Sequence, residues 1–105
     1  MTGLWYLYLR NNRINTIENL ENLKMLKELD LGENNIAKIE NLDNLTTLQD
    51  LGLANNQITT IENLGFFRTP YHIYLEGNPL NPEDQEVATH GAKYIVMSCR
   101  KKGHD

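Results

Sequence analysis

The sequence predicts an α/β solenoid of about four short coils. Its elements are a parallel concave sheet, a 3₁₀ or extended convex side, and a C-terminal capping helix. Three observations carry this. A step of 22 residues superimposes Leu4, Leu26 and Leu48, then Leu7, Leu29, Leu51 and Ile73, then Leu9, Leu31, Leu53 and Leu75. The same step aligns Asn12, Asn34, Asn56 and Asn78, then Ile14, Ile36, Ile58 and Leu80, with Ile17, Ile39 and Ile61 behind them. Finally, 16 of the 105 residues are leucine and 14 are asparagine. Asparagine forms neither helices nor strands well, so a repeated local role must account for it.

Each unit opens on a short alternating segment such as Leu29-Asp30-Leu31, whose period of two describes a strand with one buried face. Stacked units make those strands parallel. Asparagine then turns the chain, because its side-chain amide can satisfy backbone groups that a tight turn leaves unpaired, and successive asparagines can form a ladder between coils. The return arm, residues 36–45 for example, is too short for an ordinary helix and is expected to run as extended or 3₁₀ turns with Ile and Leu facing inward. The glutamates Glu18, Glu40 and Glu62 recur on this arm and are expected to bond to local backbone.

The pattern breaks in the fourth unit, where Pro70 replaces the first leucine and Asn81-Pro82-Glu83 falls where an Ile-Glu-Asn is due. Asn81 as N-cap, Pro82 in the first turn and acids after it predict one helix over residues 82–102, with Val87, Gly91, Tyr94, Ile95 and Ser98 at helical spacing. The expected organisation is a solenoid over residues 1–80 and a capping helix with a basic tail over 81–105, in one domain. No comparable cap precedes Leu4, so the first coil is self-capped, paired with another copy, or preceded by further coils. Trp5 either covers that end or marks a self-association surface.

The phrase L-x-x-L-x-L-x-x-N-x-I-x-x-I-E-N-L-x-x-L resembles leucine-rich repeats, and its I-E-N-L resembles the 22-residue subclass found in the regulatory subunit of type-one protein phosphatase. That resemblance covers residues 4–80. It implies binding through acidic and aromatic side chains on the concave sheet, with a phosphatase as a partner by resemblance only. The stretch Gly77-Asn78-Pro79-Leu80, with Glu86-Val87 and Gly91-Ala92 after it, is similar to the end of leucine-rich regions in some bacterial and Roco-type multidomain proteins. This implies an alternative, in which the solenoid is the recognition section of a larger regulator such as a Roco-type GTPase or a sensor.

Composition narrows the function classes. Formal net charge is −4, unevenly spread, and overall acidity disfavours nucleic acid as a ligand. No apolar run is long enough to span a bilayer, and Met1-Thr2-Gly3-Leu4 lacks a basic start, so no membrane partner or classical export is expected. A single cysteine, Cys99, makes no internal disulfide, and a cytoplasmic setting is the expectation. Cys99 is read as a small core residue, and Arg100-Lys101-Lys102 as cations opposing a helix dipole.

If the leucines point inward, the alternating positions point out from the concave sheet. Those columns read Tyr6, Glu28, Asp50, His72, then Tyr8, Asp30, Gly52, Tyr74, then Arg10, Gly32, Ala54, Glu76. Strands about 4.8 Å apart bring Glu28, Asp30 and Asp50 into one patch where like charges repel unless a cation arrives. Gly32, Gly52 and Ala54 leave a hollow beside them suited to a Lys or Arg side chain. Tyr6, Tyr8, Glu28, Asp30, Asp50, His72 and Tyr74 are therefore the candidate contacts for a protein partner presenting a basic segment. No cofactor or metal is implied: His90 and His104 have no partners at ligand spacing, and no phosphate-binding glycine loop occurs. A hydrolase using His72 and Asp50 is the remote alternative, since no serine or cysteine accompanies them.

Overall fold

The computed structural model describes residues 3–103; Met1, Thr2, His104 and Asp105 lie outside the described residues, and with them the expectation for His104. Four three-residue strands, β1 (Tyr6–Tyr8), β2 (Glu28–Asp30), β3 (Asp50–Gly52) and β4 (His72–Tyr74), form one parallel sheet in sequence order. The pairing register runs Tyr6 to Glu28 to Asp50 to His72, so the 22-residue repeat is conserved in space without a slip. Leu29, Leu31, Leu51 and Leu53 beneath the sheet meet Ile36, Ile39, Ile58 and Ile61 from the return arms, all buried. Fully burying each such side chain contributes about 1.5–3 kcal/mol. Between them the convex chain makes isolated i to i−3 turns, such as Leu23 N to Leu20 O (3.0 Å) and Leu45 N to Leu42 O (2.9 Å), as a short arm requires.

The asparagine ladder forms as expected. The Asn34 amide donates to Leu31 O in its own coil (2.9 Å) and to Leu9 O in the coil before it (3.1 Å). Its Oδ1 accepts from Ile14 N at 3.0 Å. Asn56 and Asn78 repeat both bridges, each to the preceding coil, and all three are buried. Asparagine also serves a purpose that periodicity does not reveal. Asn11, Asn55 and Glu33 take a left-handed backbone with φ of 63°, 58° and 53°, and Asn19, Asn41 and Asn63 take it again on the return arm. Asparagine tolerates this region better than other residues with a β-carbon.

Those return-arm asparagines correct the reading of Glu18, Glu40 and Glu62. Among the described residues the glutamates make no side-chain hydrogen bond to backbone. The next residue does: Asn41 Nδ2 donates to Ile17 O and Asn63 Nδ2 to Ile39 O, both at 2.7 Å.

The cap also differs from the single helix expected. It consists of two helices, α1 (Pro82–Ala88) and α2 (Ala92–Lys102). Thr89 ends the first, its hydroxyl donating to Glu86 O at 2.7 Å, and Gly91 turns the chain at φ 90°, which a residue with a side chain rarely adopts. The break rotates the buried face, so Val87, Ala92, Ile95, Val96 and Cys99 enter the core while Gly91 and Tyr94 are exposed. At the start of α1, Asn81 Oδ1 accepts from Asp84 N, and the buried Asp84 carboxylate accepts from Ile61 N at 2.8 Å. The cap thereby satisfies backbone of the third coil that the return arm of a complete fourth coil would otherwise meet. Arg100 fastens α2 to the last convex loop by donating to Gly65 O and Phe67 O.

Candidate functional site

The sheet places the outward columns as alternation requires. Leu7, Leu29, Leu51 and Ile73 turn inward, and their neighbours Tyr6, Tyr8, His72 and Tyr74 are exposed while Glu28, Asp30 and Asp50 are half-buried. A hollow of about 270 Å³ opens over β2 and β3. Five of the seven candidate contacts line it: Tyr8, Glu28, Asp30, Asp50 and Tyr74. Tyr6 and His72 flank it without lining it.

Each acid of the patch already has a partner within the chain. The Tyr8 hydroxyl donates to Glu28 Oε1 at 2.6 Å, which holds the Tyr8 phenol above its ordinary pKa. Arg10 Nε donates to Asp30 Oδ2 at 3.1 Å, and that hydrogen bond, reinforced by the carboxylate charge, raises the guanidinium pKa. His72 Nδ1 lies 2.7 Å from Asp50 Oδ1. The expected repulsion among Glu28, Asp30 and Asp50 is therefore relieved from inside, because Tyr8 and Arg10 donate diagonally across to Glu28 and Asp30 and His72, opposite Asp50 in the register, lies within hydrogen-bond distance of it. Asp30 is further committed by accepting from Gly32 N at 2.9 Å.

The hollow expected for a partner's cation holds the chain's own Arg10. Its guanidinium lies over Gly32, where a β-carbon would come within 2.7 Å of Nη2. Sequence reasoning placed Arg10 in the third outward column but assigned it no role. The signal was present in the register, since Arg10 sits diagonal to Asp30 and beside Gly32. Glu76, from the far end of the same column, also lines the hollow.

The aromatic walls are ordered by contacts of their own. The Tyr74 ring stacks on His72 with centroids 5.7 Å apart and planes 4° apart. Beside β1, Trp5 is 44% exposed, meets Tyr6 edge to face, and carries the Lys27 ammonium 4.7 Å over its ring. Leu7, Leu9 and Ile14 of the first coil are only partly covered, unlike their repeats in the second and third coils.

For hydrolytic chemistry the arrangement offers an imidazole and a carboxylate on adjacent strands of an open sheet. Among the described residues no serine, threonine or cysteine lines the hollow, and Cys99 is buried in α2. Burial raises the Cys99 thiol above its ordinary pKa, which disfavours the nucleophilic thiolate. Among the described residues no three His, Cys, Asp or Glu side chains gather as a metal cluster, His90 being engaged with Glu86 at 3.0 Å. No helix among them is long and apolar enough to cross a membrane.

Solved structures show the same architecture. An internalin from Listeria monocytogenes is similar at 35% identity and a TM-score of 0.72, over 81% of this chain and 25% of that one. A leucine-rich repeat protein from Leptospira interrogans is similar at 27% identity and a TM-score of 0.76, over 91% of this chain and 24% of that one. The chain thus spans about a quarter of the length of either protein. No curated protein matches it. The family described as leucine rich repeats (2 copies) matches twice, over residues 4–44 and 24–66. With coils, ladder and sheet in that register, the chain belongs to the leucine-rich repeat family.

Proposed function

We propose that this chain is a non-enzymatic protein-interaction module whose concave sheet receives a basic segment of a partner protein. The observation that carries the reading is the hollow over β2 and β3, lined by Glu28, Asp30, Asp50 and Glu76 against Arg10, its one cation among the described residues. Tyr6, Tyr8, His72 and Tyr74 surround it with aromatic area that loses little entropy on contact. A solenoid locked by its asparagine ladder presents this surface preformed, so ordering costs fall mainly on the partner. The excess of carboxylates accelerates encounter with a cationic segment. Among partners, a type-one protein phosphatase enters on the resemblance of the repeat alone.

The test is capture from a cell extract by the wild type and by a triple variant, Glu28→Gln, Asp30→Asn and Asp50→Asn, whose folding is verified by circular dichroism. A protein held by the wild type at low salt, released as salt rises and lost with the variant is the expected result. Equal capture by both proteins would show the patch to be a solvated face.

A further inference from the structure

Arg10 occupies the position that the proposed function reserves for the partner. Resting on that reading, we propose that its guanidinium is an internal stand-in, and that an arginine side chain of the partner displaces it to reach Asp30.

The floor of the hollow is built for a guanidinium. Gly32 and Gly52 present no side chain there; a β-carbon at Gly32 would lie 2.7 to 3.1 Å from three guanidinium atoms, and one at Gly52 would lie 2.8 Å from Asp30 Oδ1. A side chain at Gly32 would take the space of the guanidinium, and one at Gly52 the space of the Asp30 carboxylate with which it pairs. The walls suit the same group. Tyr8, held by its bond to Glu28, and Tyr74, stacked on His72, flank the hollow with exposed rings. A guanidinium can pair with a carboxylate at two points and stack flat on an aromatic ring, whereas an ammonium does neither so well.

Arg10 fills this place incompletely. Its contact with Asp30 is a single bond through Nε, the approach to Glu33 is 3.8 Å, and its side chain is 45% exposed. Four carboxylates line the hollow against one guanidinium, a formal excess of three negative charges. Among the described residues neither Glu28 nor Glu76 has a cationic partner within 4 Å. An exposed ion pair of this kind is weak and is exchanged easily for a better one.

The experiment measures fluorescence polarisation of a labelled peptide of alternating arginine and glycine, and of its lysine counterpart, at low ionic strength. The proteins are the wild type, Arg10→Ala, Arg10→Gln and Arg13→Gln, with thermal melts confirming that each is folded. Arg13 is exposed and outside the hollow, so its variant removes the same charge without vacating the site. The arginine peptide is expected to bind more tightly than the lysine peptide, and both Arg10 variants to tighten it about two- to fivefold. Arg13→Gln is expected to change it less. If the wild type binds but the Arg10 variants bind no more tightly, or Arg13→Gln tightens binding equally, displacement is overturned and the basic-partner reading stands. Equal affinity for both peptides overturns the preference for arginine. Failure of both peptides to bind any of the proteins overturns the basic-partner reading, and displacement with it.

Discussion

Replacing Asn56 by alanine isolates what the ladder contributes to the fold. Asn56 is 2% exposed, and its side chain joins two coils: Oδ1 accepts from Ile36 N at 3.0 Å, and Nδ2 donates to Leu31 O at 3.1 Å. It also donates to Leu53 O at 3.1 Å within its own coil. Alanine leaves the Ile36 amide unpaired in the core, while the Leu31 carbonyl loses one of two donors and keeps its bond from Asn34. At about 1–3 kcal/mol for the unpaired amide and about 0.5–1.5 kcal/mol for each of the two bonds lost at the Leu31 and Leu53 carbonyls, the cost is about 2–6 kcal/mol, a large share of the ~5–15 kcal/mol typical of a whole domain. For a chain this size each kcal/mol moves the melting temperature by about 4–5 °C, so a fall of at least about 10 °C is expected. Asn12→Ala is the control. It holds the same place in the repeat but is exposed, and among the described residues its side chain bonds only to Leu9 O (2.9 Å) and Arg10 O (3.4 Å), so about 1 kcal/mol or less is expected. Urea unfolding followed by far-ultraviolet circular dichroism measures both. Equal losses for Asn12→Ala and Asn56→Ala would refute the argument, because the two differ in burial and in cross-coil bonding, not in repeat position.

Glu33 takes the left-handed backbone at φ 53° where Asn11 and Asn55 stand in neighbouring coils, so Glu33→Asn should stabilise by about 0.5–1 kcal/mol, read as a higher urea midpoint. Asp84→Ala removes the carboxylate that accepts from Ile61 N and Asn81 Nδ2; a loss of about 2–3 kcal/mol is expected, with faster proteolysis at the cap. Leaving the cap's protease resistance intact would count against its role as the seal of the last coil. Burial raises the Cys99 pKa in the folded state above its ordinary 9.0, so folding favours the protonated thiol. That stability is fully present below the unfolded pKa and is lost as pH rises above it, so denaturation midpoints should fall above about pH 9 and Cys99→Ala should flatten the fall. A disulfide reagent should label Cys99 in the native protein at pH 8 only at the rate of unfolding; immediate labelling would contradict its burial.

The repeat by itself determined the scaffold. Its step of 22 residues sets which side chains can meet, because stacked parallel strands must align like with like, and β1 to β4 pair in that register. The inward leucines and the asparagine ladder follow from alternation and from the need to pair buried amides, both of which are properties of a single coil and its neighbour. Tertiary structure alone decided what is not periodic. Whether α1 and α2 are one helix or two depended on the fit of Val87 and Ile95 against the last coil, which Gly91 permits by turning at φ 90°. The left-handed role of Asn19, Asn41 and Asn63 was hidden beside the conspicuous glutamates, since sequence spacing does not report backbone φ. Repulsion among Glu28, Asp30 and Asp50 was legible as a pattern of like charges. Its relief by Tyr8, Arg10 and His72 was not, because it depends on the directions side chains take across the strands. A sequence assigns a residue to a face of the sheet; only packing decides which neighbour it touches there, and that contact determines whether the hollow is empty or already holds an arginine.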